Sequence, residues 1–172
     1  MLQVGCGQSD ALQIGMRGSG PPAASFDRGG VAARDDTVYF GAGCWPIDRG
    51  YLCALDAATG KVLWSVVVEG RIDTPPTLAA ESVYFGTRDG YVYCLRQTDG
   101  ALRWRFHAAP AYRQIISFED LESAWPIHGS VLVHDGTLIL AAGRSSYRLL
   151  ERAARCLVAA SPSSPEPRSP CT

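Results

Sequence analysis

The feature that most constrains this chain is an internal repeat. The segments that begin at Asp36 and Glu81 both contain the letters VYFG, followed by Gly-Tyr, a Leu, a turn Gly and a Trp. VYFG recurs after 45 residues, whereas the Trp recurs after 40, because the loop that follows VYFG has eight residues in the first copy and three in the second. Self-similarity at this period is typical of propellers and repeat arrays, whose units bury their apolar faces only by stacking.

A weaker third copy follows. The segment 129–143, GSVLVHDGTLILAAG, resembles 75–86, PPTLAAESVYFG, and stops before a Gly-Tyr strand. In the second copy, short Val-, Tyr- and Leu-rich stretches between Asp-Gly turns predict strands near 77–80, 82–86, 91–96 and 101–106. The sequence therefore predicts two full four-stranded antiparallel sheets and part of a third, stacked face to face.

The turn in ALDAATGKVLW predicts how the stack is fixed. Asp56 and Thr59 are expected to hydrogen-bond the backbone of their own turn, and Gly60 to supply its left-handed residue. The turn then sets the register of the strand that carries Trp64. We expect Trp64 and Trp104 to wedge between adjacent sheets, with the indole N–H bonded, and ordinary core packing is the alternative.

These repeats resemble those of pyrroloquinoline-quinone-type (PQQ-like) β-propellers, a family that includes quinoprotein alcohol dehydrogenases and the propeller lipoprotein of the outer-membrane β-barrel assembly machinery. The resemblance covers roughly residues 31–143 and rests on a tryptophan-docking signature, Ala-x-Asp-x-x-Thr-Gly-x-x-x-Trp. The first copy matches it at Ala54, Asp56, Thr59, Gly60 and Trp64. The second copy keeps Gly100 and Trp104.

The resemblance implies an all-β fold, a partial β-propeller, but it does not imply a cofactor. Quinone-binding members have two adjacent cysteines and hold calcium with Glu, Asn and Asp. This chain has no Asn, and none of its six cysteines is next to another. We therefore predict no cofactor and no metal: PQQ is not supported by the residues present.

The two ends of the chain differ from the repeats. Residues 1–30 are Gly-rich and predicted to be poorly structured, and residues 31–147 hold the propeller repeats. Within 148–172, an apolar stripe predicts a short helix over 148–159, followed by a Ser/Pro-rich tail that is disordered by composition. The abrupt change after Tyr147 also fits a frameshift or a mis-called gene end, so the tail is either native or foreign to the fold.

Charge and composition exclude several classes. A net charge of −1 gives no electrostatic footprint for nucleic acid, and no apolar run approaches the roughly 18 residues of a membrane helix. The chain shows no signal peptide of its own, although the family resemblance implies an extracytoplasmic location. No Cys-x-x-Cys is present, so a zinc ribbon has no support.

Few residues suggest chemistry. His107, His128 and His134 are expected to be solvated loop histidines, since nothing predicts a third metal ligand or a nucleophile beside them. The acidic stretch SFEDLES, 117–123, could bind a cation, but we expect a solvated helical turn there.

Trp45 and Trp125, each followed by Pro-Ile, are candidate binding anchors in rim loops, with local packing as the alternative. The sequence thus predicts a non-catalytic scaffold or interaction module that is part of a larger propeller. The alternative is part of a PQQ-dependent quinoprotein oxidoreductase whose cofactor site lies outside this chain. The expected partners are a protein or the remaining blades, and self-association is expected if neither covers the stack.

Overall fold

The computed structural model describes residues 3–5, 13–15, 30–44, 49–108, 111–117, 120–143 and 156–157. All regular elements in these ranges are β-strands, and their pairing is antiparallel throughout. No described stretch forms a helix of the length and hydropathy that a bilayer crossing requires. The predicted all-β partial propeller is confirmed.

The first sheet is a four-stranded meander in the order β3-β4-β5-β6. Its strands are β3 (Val31–Arg34), β4 (Thr37–Cys44), β5 (Arg49–Asp56) and β6 (Val62–Val68). Where β5 pairs with β6, Leu55 lies opposite Val62 and Ala54 opposite Trp64, so that Leu63 is a bulged residue in β6. This bulge follows the turn predicted from the signature, which sets the phase of the last strand.

The second sheet repeats the first in the order β10-β9-β8-β7. Its strands are β7 (Thr77–Ala79), β8 (Ser82–Gly86), β9 (Tyr91–Arg96) and β10 (Leu102–His107). They fall within one residue of the predicted bounds. The equivalent bulge lies between Leu102 and Trp104, so the two copies share their irregularity as well as their order.

Shorter pairs complete the described chain. A hairpin of β11 (Gln114–Ser117) and β12 (Asp120–Ser123) is inserted after the second sheet. The partial third copy is the hairpin of β13 (Leu132–His134) and β14 (Thr137–Ile139). Two further pairs join β1 (Gln3–Gly5) to β2 (Gln13–Gly15) and β15 (Ala141–Ala142) to β16 (Cys156–Leu157).

Two predictions of helical structure are contradicted at these strand pairs. The described residues of the acidic stretch, Ser117 and Asp120–Ser123, belong to β11 and β12 and not to a helical turn, because their backbones pair across the inserted hairpin. Within the predicted helix over 148–159, only Cys156–Leu157 is described, and these two residues form a strand on the edge at Ala141–Ala142. The rest of that segment, the tail and most of 1–30 lie outside the described residues, so the domain boundaries stay predictions.

Two apolar layers lie between the sheets. The first, around Leu52, Val83 and Phe85, lies between sheets one and two. The second, around Tyr84, Val92 and Leu138, lies between sheet two and the third copy. The last residue of VYFG is a glycine in both copies because an isoleucine packs on it. A Cβ on Gly41 would lie 2.4 Å from Ile72 Cγ2, and one on Gly86 would lie 2.3 Å from Ile127 Cγ2.

The first sheet leaves apolar side chains open to solvent. Leu63 is 54% exposed, Val67 is 52% exposed and Val31 is 62% exposed. Because such a face and its strand edges favour association, we expect the isolated 172-residue chain to self-associate or to unfold at low denaturant. Size-exclusion chromatography with light scattering across a concentration series checks this, and a monodisperse monomer with a sharp cooperative melt would contradict it.

Candidate functional site

The antiparallel meanders separate two ends of the stack. The β5–β6 and β9–β10 turns lie at one end, here called the turn end. The ends of β4, β6, β8 and β10 and the starts of β5 and β9, together with the β8–β9 loop, lie at the other end, here called the loop end. Inner strands β3, β7 and β13 contact one another in series, so the strands β6 and β10 are outermost.

At the turn end, the signature residues build one closed turn. Asp56 Oδ1 accepts hydrogen bonds from Thr59 N and Thr59 Oγ1, both at 2.6 Å. These bonds lower the pKa of Asp56, the Thr59 hydroxyl contributing most. Gly60 has φ +69°, and its N–H donates to the Asp56 carbonyl at 2.8 Å. The predicted turn chemistry is therefore present in the structure.

Trp64 links this turn to the next sheet. Its indole Nε1 donates to the carbonyl of Gln97 at 2.9 Å, and its ring lies against Gly100, where a Cβ would be only 2.6 Å from Trp64 Cε3. The centroid of Tyr39 is 5.9 Å from that of Trp64. Trp104 repeats the aromatic contact, with Tyr84 at 6.0 Å. The docking role of the signature remains a prediction, which substitution at Gly100 tests.

At the loop end, a cluster of charged residues joins three segments that are distant in sequence. Arg88, in the β8–β9 loop, contacts Asp73 Oδ2 through Nε at 2.5 Å and Glu122 Oε1 through Nη1 at 2.6 Å. Asp73 also lies 3.4 Å from Arg71 Nε and 3.3 Å from His128 Nδ1. The side chain of Glu122 is fully buried. This charged cluster fixes the β11–β12 hairpin on the second sheet.

The ionisation of Asp73 follows from these contacts. Burial by itself would raise the pKa of Asp73, but the bonds from His128 and Arg88, with the charges of Arg88 and Arg71, hold it below its usual range. A lowered carboxyl pKa contributes stability at neutral pH that is lost as the pH falls through the folded-state pKa. The cluster therefore holds its charge near neutrality and weakens in acid.

Beside the cluster lies a cleft of about 270 Å³. It is lined by Glu69, Asp89, Tyr91, His107, Tyr112, Arg113, Gln114, Leu121 and Ser123. The His107 and Tyr112 rings are stacked at 4.3 Å, and Tyr91 lies 4.7 Å from His107. The hydroxyls of Tyr91 and Tyr112 are hydrogen-bonded, which with burial raises the pKa of Tyr91 to about 12. Burial lowers the pKa of His107, so this imidazole is neutral at physiological pH.

The structure places the predicted site residues in different surroundings. The expectation of a solvated loop histidine is wrong for His107, which ends strand β10, is half-buried and lines the cleft. His128 is exposed and contacts Asp73, and His134 is exposed beside Asp135. Trp125 is half-buried against the second apolar layer, which favours local packing over an exposed anchor. Trp45 lies outside the described residues. No group of three or more His, Cys, Asp or Glu suited to a metal occurs among the residues that the structure describes.

Sequence reasoning missed Arg88 and the aromatic cleft. The only local signal for Arg88 is the Thr-Arg-Asp-Gly loop, whose Asp-Gly pair predicts a hairpin turn but no ion pair. The partners of Arg88 lie 15 and 34 residues away, and no repeat spacing relates them.

The chain is similar both to outer membrane assembly factors and to quinone alcohol dehydrogenase subunits. The family model described as outer membrane protein assembly factor BamB matches residues 16–144. The chain is 33% identical over 76 residues to BamB of Yersinia pestis, which covers 44% of this chain and 18% of that protein. It is 30% identical over 105 residues to the dehydrogenase subunit of the quinone alcohol dehydrogenase of Gluconobacter oxydans, covering 55% of this chain and 13% of that protein.

Among solved structures, BamB from Moraxella catarrhalis aligns with a TM-score of 0.54 at 18% identity, over 82% of this chain and 34% of that one. At this identity the likeness shows the fold alone. The parts of the two sequence relatives that align with this chain make up less than a fifth of the length of each relative.

Proposed function

This chain belongs to the family of outer membrane protein assembly factor BamB, and from that premise we propose that it is a non-catalytic interaction module within a larger propeller. Its relatives in Yersinia pestis and Moranella endobia are outer membrane protein assembly factors, which supports an extracytoplasmic location and a protein partner. Binding is assigned to the loop end, and no cofactor is proposed.

The observation that carries this proposal is the inserted β11–β12 hairpin. It exposes large apolar side chains: Tyr112, just before it, is 79% exposed, Ile116 is 81% exposed and Leu121 is 56% exposed. At its base, the ion pair of Arg88 with the fully buried Glu122 holds it on the sheet. An apolar surface on a fixed support loses little entropy on binding, which is the property of a preorganised protein-binding site.

Site-specific photo-crosslinking tests the proposal. A photoreactive benzoylphenylalanine placed at Ile116 in the full chain, expressed in the source cell, should give a discrete protein adduct. The matched control carries benzoylphenylalanine at Ala58 instead, an exposed position in the β5–β6 turn at the turn end. An adduct from Ile116 that is absent from Ala58 supports binding at the loop end, and equal adducts from both sites, or none from Ile116, would refute it.

A second candidate is favoured by one observation, the 30% identity over 105 residues to a quinone alcohol dehydrogenase subunit. The residues here do not fit its cofactor. The sequence lacks Asn and adjacent cysteines, and the described cleft is smaller than the roughly 300–1,000 Å³ of most ligand pockets. An oxidoreductase would therefore need a cofactor site outside this chain. Quinone absorbance retained after PQQ and calcium are added to a longer propeller that contains this chain, but not after they are added to the purified chain, would favour this candidate.

A further inference from the structure

The cleft beside the hairpin differs from the apolar surface around it, because it combines aromatic rings with carboxylates. It lies at the outer side of the second sheet, where the start of β9 pairs with the end of β10. Its volume of about 270 Å³ lies just below the roughly 300 Å³ at which pockets for drug-sized ligands begin. The space suits one side chain rather than an extended cofactor.

The rings of the cleft form a surface that can bind a planar cation. His107 and Tyr112 are parallel within 8°, and Tyr112 is 79% exposed. The chain already uses Tyr91 in this way, since the guanidinium carbon of Arg105 lies 5.4 Å from the centroid of that ring. A guanidinium stacks on aromatic faces and presents several donors in one plane.

Asp89 supplies the unmet charge. Its Oδ1 accepts the hydroxyl of Thr87, whereas its Oδ2 is buried and has no hydrogen-bond partner among the described residues. Burial raises the pKa of Asp89, so its surroundings disfavour the charged carboxylate. The positive charge of a cation bound in the cleft would offset that cost electrostatically, although Oδ2 itself is too buried to accept its N–H groups. Glu69 adds a second carboxylate on the rim of the same cleft.

We propose that this cleft binds the guanidinium of an arginine side chain presented by the protein partner, between the Tyr112 ring and the carboxylates of Asp89 and Glu69. This inference rests on the proposed interaction function, whose partner chemistry it specifies. Arg113 lines the cleft as well, and its positive charge opposes the ligand. Removing that charge should therefore strengthen binding, an effect opposite in sign to removing a carboxylate.

The test is an NMR titration of the purified full chain with N-acetyl-arginine amide, which carries the side chain without terminal charges. The neutral isostere N-acetyl-citrulline amide is the matched control. We expect shifts at the backbone amides of Asp89, Tyr91 and Tyr112, and none of comparable size with the control. Asp89→Asn should weaken binding about tenfold, because it removes the negative charge of Asp89 from the wall of the cleft. Glu69→Gln, at an exposed position, should weaken it about two- to fivefold, and Arg113→Gln should strengthen it by a similar factor.

Substitutions at Tyr112 separate stacking from charge. Tyr112→Phe keeps the ring and should bind the probe with an affinity within about twofold of that of the parent chain. Tyr112→Ala removes the ring and should bind the probe several-fold more weakly than Tyr112→Phe. Should Asp89→Asn fail to fold, the opposite signs of Glu69→Gln and Arg113→Gln still decide the matter. Equal binding of the citrulline control, or changes of the same sign in those two variants, would overturn the proposal.

A second arm identifies the source of the cation. An acetylated Ala-Arg-Ala amide should bind at least as well as the single-residue probe if the arginine comes from a polypeptide. Binding of the small probe alone would overturn the partner assignment in favour of a small guanidinium solute. Failure of both probes, with the Ile116 adduct intact, would reject this inference and leave the interaction function standing. Binding without the adduct would reject the function instead.

Discussion

Replacing Arg88 by methionine is expected to lower the free energy of unfolding by about 3 kcal/mol. Methionine retains much of the side-chain length but removes the charge that contacts Asp73 at 2.5 Å and Glu122 at 2.6 Å. Glu122 has a fully buried side chain, and breaking a buried ion pair is costly because a charge stays in a poorly solvating environment. Urea unfolding followed by circular dichroism measures the change.

The same variant should release the β11–β12 hairpin. Ser123 N also donates to the Arg88 carbonyl at 3.2 Å, so hydrogen exchange at Leu121 to Ser123 is expected to rise more than elsewhere. The double variant Arg88→Met with Glu122→Gln should recover part of the lost stability, because it also removes the buried charge of Glu122 that Arg88→Met leaves unpaired. Arg96→Met is the surface control: its ion pair with Asp99 is about half exposed and is worth at most about 1 kcal/mol. Equal losses at Arg88 and Arg96 would contradict the argument.

Gly100→Ala is expected to destabilise the stack by about 2–4 kcal/mol, which combines the strain of a left-handed alanine with overpacking. Gly100 has φ +70°, and its Cβ would lie 2.6 Å from Trp64 Cε3. Gly60→Ala is a matched control, since Gly60 has φ +69° and nothing within 4 Å of its Cβ position. That variant should cost only about 1–2 kcal/mol, as measured by the same urea titration.

A double-mutant cycle identifies the source of the difference. In a Trp64→Ala background, Gly100→Ala should cost no more than Gly60→Ala, because the ring that meets the new Cβ is gone. Trp64→Ala alone should cost about 3 kcal/mol, near the lower bound for truncating a core aromatic, since the ring is half-buried. If the two alanine variants lose the same amount with Trp64 present, the indole does not dock on this turn.

The strands and their order could be predicted from sequence because their determinants are local. Short stretches rich in Val, Tyr and Leu predict the strands, and Asp-Gly turns separate them. In the first copy the Asp56–Thr59–Gly60 turn also sets the start of the last strand. The repeat then requires the meanders to stack. That Trp64 would meet a neighbouring sheet followed from its recurrence with a turn. Its acceptor, the carbonyl of Gln97, is 33 residues away and follows only from how two sheets are packed.

The loop end was decided by the tertiary structure. The acidic stretch was predicted as a solvated helical turn, because acidic residues in a short polar segment carry no local sign of burial. Glu122 is buried only because Arg88, 34 residues earlier in the chain, arrives beside it when the hairpin folds over the second sheet. Likewise, Tyr91, His107 and Tyr112 meet only where β9, β10 and the following segment converge. Sequence by itself determined the repeating framework, since strand and turn formation depend on neighbours along the chain. The tertiary structure decided the charged cluster and the cleft, since both consist of side chains that are distant in sequence and meet only in the folded protein.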